Sequence, residues 1–235
     1  MSPVDVRRAG TRPHTKIGWL DSWHSFSFGP HYDPANTHHG LLLVNNDDRV
    51  SPASGFPTHF HRDMEIVTWV LSGRLEHRDS EGNHGELYPG LAQRMSAGTG
   101  IEHSEMNPSP ADEVHFVQMW IPPDREGIPP SYEQRDINSE LDKGGLRPIA
   151  SGQGHDGAIA IHQRDAVLWG ARLGPGELTT VPDGAHVHLF VAAGDADLQG
   201  TGVLGAGDAA RLSSAGELAL TAGASGAEIL VWVTS

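Results

Sequence analysis

Residues 65–85 read EIVTWVLSGRLEHRDSEGNHG, and the punctuation of this stretch decides the fold class. A β-branched apolar run (65–71) stops at Ser72-Gly73. RLEHRDS (74–80) starts at once, and Glu81-Gly82-Asn83-His84-Gly85 forms a cluster of turn residues. Short runs bounded by glycine turns are the signature of strands joined by hairpins. The pattern continues downstream through ELY, LAQRMS, a Gly98-Thr99-Gly100 turn, IEHSEM and EVHFVQMWI (113–121), which ends before Pro122-Pro123. Strands at this spacing predict an all-β sandwich or barrel. One short helix is expected over YEQRDINSEL (132–141).

The stretch 141–157 is rich in glycine and polar residues and reads as a linker or a pair of loops. Strands resume beyond it in AIAIH, AVLWGARL, HVHLFVAA, AARLS, LALTA and EILVWV. A faint internal repeat aligns 87–96 (LYPGLAQRMS) with 204–213 (LGAGDAARLS), with Gly73 and Gly194 ending a strand ahead of each copy. The expectation is two related β domains, 1–140 and 141–235, the second shorter and degenerate.

Composition narrows the function classes. With 235 residues there is room for a sizeable core without a disulfide or a structural metal. Lys and Arg total 16 against 30 Asp and Glu, a net charge of -14, which argues against binding nucleic acid or an anionic lipid surface. The chain contains no cysteine, so thiolate zinc sites, iron–sulfur clusters and cysteine nucleophiles are excluded. No window approaches the roughly 18 apolar residues of a membrane span. The N-terminal residues lack the apolar core of a secretory signal, so a cytoplasmic protein is expected. The 15 histidines are almost as many as the lysines and arginines together, which makes their clustering informative.

Two clusters stand out: Gly55-Phe-Pro-Thr-His59-Phe-His61-Arg-Asp-Met-Glu65 and Gly100-Ile-Glu-His103-Ser-Glu105-Met-Asn107. Residues i and i+2 of a strand share a face, so His59 projects with His61 and His103 with Glu105. The 41 residues between His61 and His103 leave room for strands that bring the pairs face to face inside a barrel. Either pair alone is usually a solvated edge or turn. Together they predict one mononuclear site for a divalent transition metal. Parity leaves open whether Glu65 or Glu105 supplies the carboxylate.

These segments resemble the paired motifs of the cupin superfamily, including His103-x-x-x-Asn107, although Gly98 stands where a proline is usual and Gly73 falls one residue late. They are more specifically similar to the pirin family. That resemblance is carried by the His-x-His-x-x-x-Glu segment, by Ala97-Gly-Thr-Gly-Ile-Glu-His103-Ser-Glu105, by Gly18-Trp-Leu-Asp-Ser-Trp-His24-Ser-Phe-Ser-Phe28, by Tyr32-Asp-Pro34 and by Tyr132-Glu-Gln-Arg135. It implies a bicupin whose N-terminal domain holds one metal through His59, His61, His103 and Glu105. Fe(II) is favoured, with Ni, Cu, Mn, Co or Zn as alternatives. Glu65 then stands behind the ligands, on a backbone group or a ligand histidine. Gln118 matches a family glutamine in Gln-x-Trp and is expected on the pocket wall. Phe56, Met64 and Met119 are candidates for an apolar wall against a planar ligand, each being more commonly plain core.

The other histidines rank lower. His115 falls on the opposite face from Gln118. His24, His31, His38 and His39 read as surface or loop residues, and Arg74, His77 and Arg78 as a solvated hairpin. A second His-x-His, His186-Val-His188, fails a register check: through Gly194 and Gly73, His186 aligns with Glu65 and His188 with Val67. The ligand positions then correspond to Thr180, Pro182, Leu220 and Ala222, so no second metal quartet is expected.

The resemblance implies quercetin 2,3-dioxygenase chemistry, in which a flavonol and O2 react at the metal, with Glu105 as proton acceptor and carbon monoxide released. The rival is a pirin-like iron-binding redox sensor acting through a protein partner, an association that the acidic charge permits. A monomer or weak dimer is expected.

Overall fold

The computed structural model describes residues 4–235; residues 1–3, the start of the expected first domain, lie outside the described residues. Three sheets carry almost all of the regular structure. A seven-stranded antiparallel sheet has the spatial order Ser131–Asp136, Leu91–Ser96, Glu65–Ser72, Val114–Ile121, Val44–Val50, Leu20–His24, His14–Ile17. A four-stranded sheet has the order Gly55–His61, Ile101–Met106, Leu75–Asp79, His84–Leu87. These two sheets form the walls of an open jelly roll. The third sheet has nine strands. Its path runs Val4–Arg7, Ala209–Leu212, His186–Leu198, Leu218–Thr234, Ala166–Leu173, Arg147–Ser151, Ile159–Ala160, with Leu178–Val181 and Gly202–Gly205 pairing off it. The chain is thus an all-β bicupin.

Period-two alternation explains how one strand serves two cores. On Val114–Ile121, Val114 and Phe116 turn into the jelly roll with Leu20, Val50, Val70, Leu75 and Leu87. Trp120 faces the same way and packs at the other end, where Ile66, Met95, Ala97 and Ile101 cluster with Met64. Between these apolar ends lies a polar layer. Gln118 belongs to it, and so do the buried Gln93, Thr68, Asn46 and His24, which are its successive register neighbours across the sheet. The alternate residues Val117, Met119 and Ile121 turn outward and join Val67, Trp69 and Ala92 against Ile149, Leu168, Phe190, Leu230 and Trp232 of the nine-stranded sheet. This apolar seam joins the two halves of the molecule, and the Trp69 indole N–H crosses it to Glu228 Oε1 at 2.7 Å.

The repeat is visible in the backbone. Gly90 (φ 89°) turns His84–Leu87 into Leu91–Ser96, and Gly207 (φ 83°) turns Gly202–Gly205 into Ala209–Leu212. Both positions are left-handed, which glycine adopts without a Cβ penalty. Arg94 lies opposite Val67 and Arg211 opposite His188. His188 therefore occupies the place of Val67, on the face turned toward the seam.

Three expectations need correction. Residues 131–136 are not helical: they pair residue for residue with Leu91–Ser96 as an edge strand, and the only helical turn in that stretch is Asn138–Leu141. The helix-favouring Glu, Gln and Arg of that segment are outweighed by ladder hydrogen bonds with a sheet neighbour. The stretch 141–157 is not free linker, because Arg147–Ser151 within it pairs with Ala166–Leu173 and buries Ile149 and Ala150. Met119 is fully buried in the seam, on the face away from the jelly-roll interior, so it lines no ligand pocket there.

Candidate metal centre

Gly55–His61 and Ile101–Met106 are adjacent antiparallel strands of the four-stranded sheet, with His103 in register with His59. The two pairs of expected ligands therefore sit side by side on one sheet, not on opposed walls. The ring centroids are 4.8 Å apart for His59 and His61, 4.3 Å for His59 and His103, and 5.0 Å for His61 and His103. One ligand nitrogen from each of the three lies within 4.8 Å of the others, and Glu105 is not in that group.

The hydrogen bonding fits a cation. His59 Nδ1 is 2.8 Å from Pro57 O. A carbonyl only accepts, so Nδ1 carries the proton and Nε2 presents a lone pair. His61 Nε2 and both ring nitrogens of His103 are buried without a partner. Buried polar atoms are normally paired, and one divalent ion would take one nitrogen from each of the three converging imidazoles. Burial, with the neighbouring His103 and His59 rings, lowers His61 to about 4. Burial with His59 and His77 lowers His103 to about 3. Both are neutral at physiological pH, the form in which an imidazole binds a metal.

A register shift separates His103 from Glu105, which lies opposite Phe56 on the neighbouring strand. The Glu105 side chain is buried, and the Gln118 amide Nε2 donates to both of its oxygens, at 2.9 and 2.7 Å. Trp120 Nε1 in turn donates to Gln118 Oε1 at 3.0 Å. Glu65 lies elsewhere. Its Oε2 accepts from Ser96 Oγ and from the His162 backbone N–H, both at 2.9 Å, so it helps tie the jelly roll to the following segment.

Half-buried aromatic rings surround the two more accessible histidines. Phe56 lies 6.4 Å from His59 and edge-on to Trp19. Trp120 meets His61 edge-on at 4.9 Å and Phe28 at 5.6 Å. Met64 packs with the Ile66, Met95 and Ile101 cluster. His115 pairs with Asp47 at 2.6 Å on the outward face.

Sequence reasoning missed several residues. His77 is fully buried beside His103, stacked on Tyr132 and 3.1 Å from Asp79, not part of a solvated hairpin. The alternation Leu75, His77, Asp79 in RLEHRD was the available signal. Trp120 was the neighbour implied by Gln-x-Trp. His24 is buried as well: its Nδ1 bonds Asn46 Oδ1 and its Nε2 bonds Thr15 Oγ1, each at 2.9 Å. Nearby Asp48 is fully buried and receives the Ser22 hydroxyl. Burial pushes its carboxyl up to about 7, with Ser22 opposing and Asp47 and Glu105 adding to the shift.

A pirin family model matches residues 5–121, and a model for the quercetinase C-terminal cupin domain matches residues 148–232. A relative from Mycobacterium tuberculosis, provisionally named a quercetin 2,3-dioxygenase, is 58% identical over 230 residues, covering 97% of this chain and 94% of its own. The quercetin 2,3-dioxygenase of Escherichia coli K12 is 46% identical over 160 residues, 68% of each chain. The crystal structure of the Escherichia coli bacterial pirin YhhW in complex with nickel(II) superposes with a TM-score of 0.90 at 37% identity, over 98% of this chain and 99% of that one.

Proposed function

The chain belongs to the pirin family, and from that premise we propose that it is a metal-dependent oxygenase that opens the central ring of a quercetin-like flavonol with O2. The observation that carries the reading is the convergence of the His59, His61 and His103 imidazoles, with unpartnered ring nitrogens on His61 and His103, near the buried Glu105 carboxylate and half-buried aromatic rings. His59, His61 and His103 would hold the ion, with Glu105 as the oxygen ligand, and Fe(II) is the proposed resident metal. When bound, the metal supplies Lewis acidity to a phenolic oxygen and couples the electrons of substrate and O2.

The residues of the chain do the remaining work. Phe56 and Trp120 flank His59 and His61 and suit the two faces of a planar aromatic ligand. Glu105 accepts the proton of the flavonol 3-hydroxyl, a transfer eased by the adjacent cation. Gln118 keeps the carboxylate turned toward that hydroxyl. The flavonol C2 and C4 each bond to one atom of O2. The C2–C3, C3–C4 and O–O bonds then break, C3 departs with its oxygen as carbon monoxide, and the proton held by Glu105 passes to the new carboxylate. The product carries both atoms of O2 in an ester and a carboxylic acid. The C-terminal cupin, with no ligand set of its own at the corresponding positions, serves as the buttress of the seven-stranded sheet.

The test is O2 uptake with a flavonol, on protein stripped of metal and reloaded separately with Fe(II), Ni(II), Mn(II) and Cu(II). Metal-free protein and Glu105→Ala serve as controls. Metal-dependent uptake with stoichiometric carbon monoxide supports the reading and names the competent metal. A loaded site that consumes no O2 above the controls would refute it and favour a redox-sensing role through a protein partner.

A further inference from the structure

We infer that Gln118, oriented by Trp120, occupies the chelating side of Glu105 and limits that carboxylate to a single oxygen toward an ion held by the three histidines. The inference rests on the metal site proposed above, and extends it to a residue pair that controls how the site is completed.

Geometry supplies the first part. Gln118 Nε2 lies 2.9 and 2.7 Å from the two oxygens of one carboxylate. Nearly equal contacts put the nitrogen close to the bisector of the carboxylate, beyond its oxygens. A cation chelated by both oxygens has to sit on that same bisector. While the amide is there, an ion can approach Glu105 only from the flank of one oxygen.

Donor chemistry supplies the second part. The two ends of a glutamine amide are told apart only by their partners. An indole N–H donates and never accepts, so the end of Gln118 facing Trp120 at 3.0 Å is the oxygen, and the end facing Glu105 is the NH2. Trp120 meets His61 and Phe28 edge-on, and the group that sets the direction of the Gln118 amide is the indole N–H itself. The order Trp120, Gln118, Glu105 is therefore fixed in one direction. An amide turned the other way would set its oxygen against a carboxylate and its NH2 against the half-buried indole N–H, losing both hydrogen bonds.

The consequence concerns coordination number. Three nitrogens and one oxygen leave two positions on an octahedral ion, where a chelating glutamate would leave one. Two positions accommodate a substrate oxygen and O2 together. Gln118 and Trp120 are thus positioning residues for the carboxylate ligand.

The experiment compares Co(II)-loaded full-length protein as wild type, Gln118→Met, Trp120→Phe and Phe28→Leu, by visible ligand-field absorption and by X-ray absorption at the metal edge. Gln118→Met removes the amide, and Trp120→Phe keeps a ring but removes the N–H. Both are expected to convert the carboxylate from one-oxygen to two-oxygen ligation, with the same change in the Co(II) spectrum. Phe28→Leu loosens the packing of Trp120 without touching the hydrogen bonds, and its spectrum should match wild type. Two-oxygen ligation in wild type, or unchanged spectra in both hydrogen-bond variants, would overturn the inference, as would a Phe28→Leu spectrum that follows Trp120→Phe. Wild type that fails to take up Co(II) brings down the metal site and the inference together. One-oxygen ligation in a protein that turns over no flavonol refutes the oxygenase reading and leaves the inference standing.

Discussion

Lowering the pH should loosen the metal far less than a three-histidine site ordinarily allows. An imidazole with the usual value of 6.5 must give up a proton to bind an ion below that pH, at about 1.36 kcal/mol per pH unit. At pH 5 this costs about 2 kcal/mol per histidine and about 4 kcal/mol for two, roughly a thousandfold in affinity. In this protein His61 is lowered to about 4 and His103 to about 3, so neither carries that proton at pH 5. Proton displacement from His61 and His103 is thereby removed at that pH. The logarithm of the apparent association constant should therefore change by no more than about one per pH unit between pH 6.5 and 5. Equilibrium dialysis against Ni(II) in a non-chelating buffer measures it, with proton release per ion as a second readout. A slope of two or three, or release of two protons per ion at pH 5.5, would refute the reasoning. The same shifts fix a sign for the metal-free protein. Between about pH 6.5 and 4 the unfolded chain binds more protons than the folded one, so stability falls as pH falls through that window.

Asp48→Asn should gain stability relative to wild type as pH rises. The native carboxyl keeps its proton to about pH 7 where the unfolded one loses it near 3.8, and the gap in denaturant-derived stability should widen by about 2–3 kcal/mol from pH 5 to 8. A pH-independent gap would show that Asp48 titrates normally. Met119→Ala should cost about 2–5 kcal/mol by opening a void in the seam, with bound metal per chain unchanged. Glu105→Ala should lose metal faster to a chelator, while Glu65→Ala should not; the reverse order would move the carboxylate ligand to Glu65. Replacing His186 or His188 with Gln should leave metal stoichiometry, measured by atomic absorption, unchanged.

Much of the fold was legible because strand alternation and glycine turns are local signals. EIVTWVL and EVHFVQMWI are strands, at Glu65–Ser72 and Val114–Ile121, and the repeat placed His188 at the position of Val67. The positions that went wrong depend on partners distant in sequence. Met119 and Gln118 are neighbours in the chain, and only the sheet they face tells which lines the jelly roll and which the seam. The segment from Ser131 to Asp136 has helix-forming side chains and became a strand because Leu91–Ser96 offered it a ladder. His77 sits in a run of charged residues that reads as solvent-facing, yet its strand is third in the small sheet, which turns alternate side chains toward His103. The bond between Gln118 and Glu105 joins two sheets and has no local signal at all.

The pairing of Val4–Arg7 with Ala209–Leu212 bears on the order of assembly. The two strands are separated by most of the described chain. Arg8 reaches Asp208, 200 residues away, at 2.6 Å. The jelly roll can condense while its leading segment dangles, but the second sheet keeps an open edge until that segment returns. Closing so long a loop is slow and leaves a bare strand available to other chains in the meantime. A fragment missing its first eight residues would build its leading domain and carry the defect in the trailing one, as slow refolding and association between copies rather than as loss of metal.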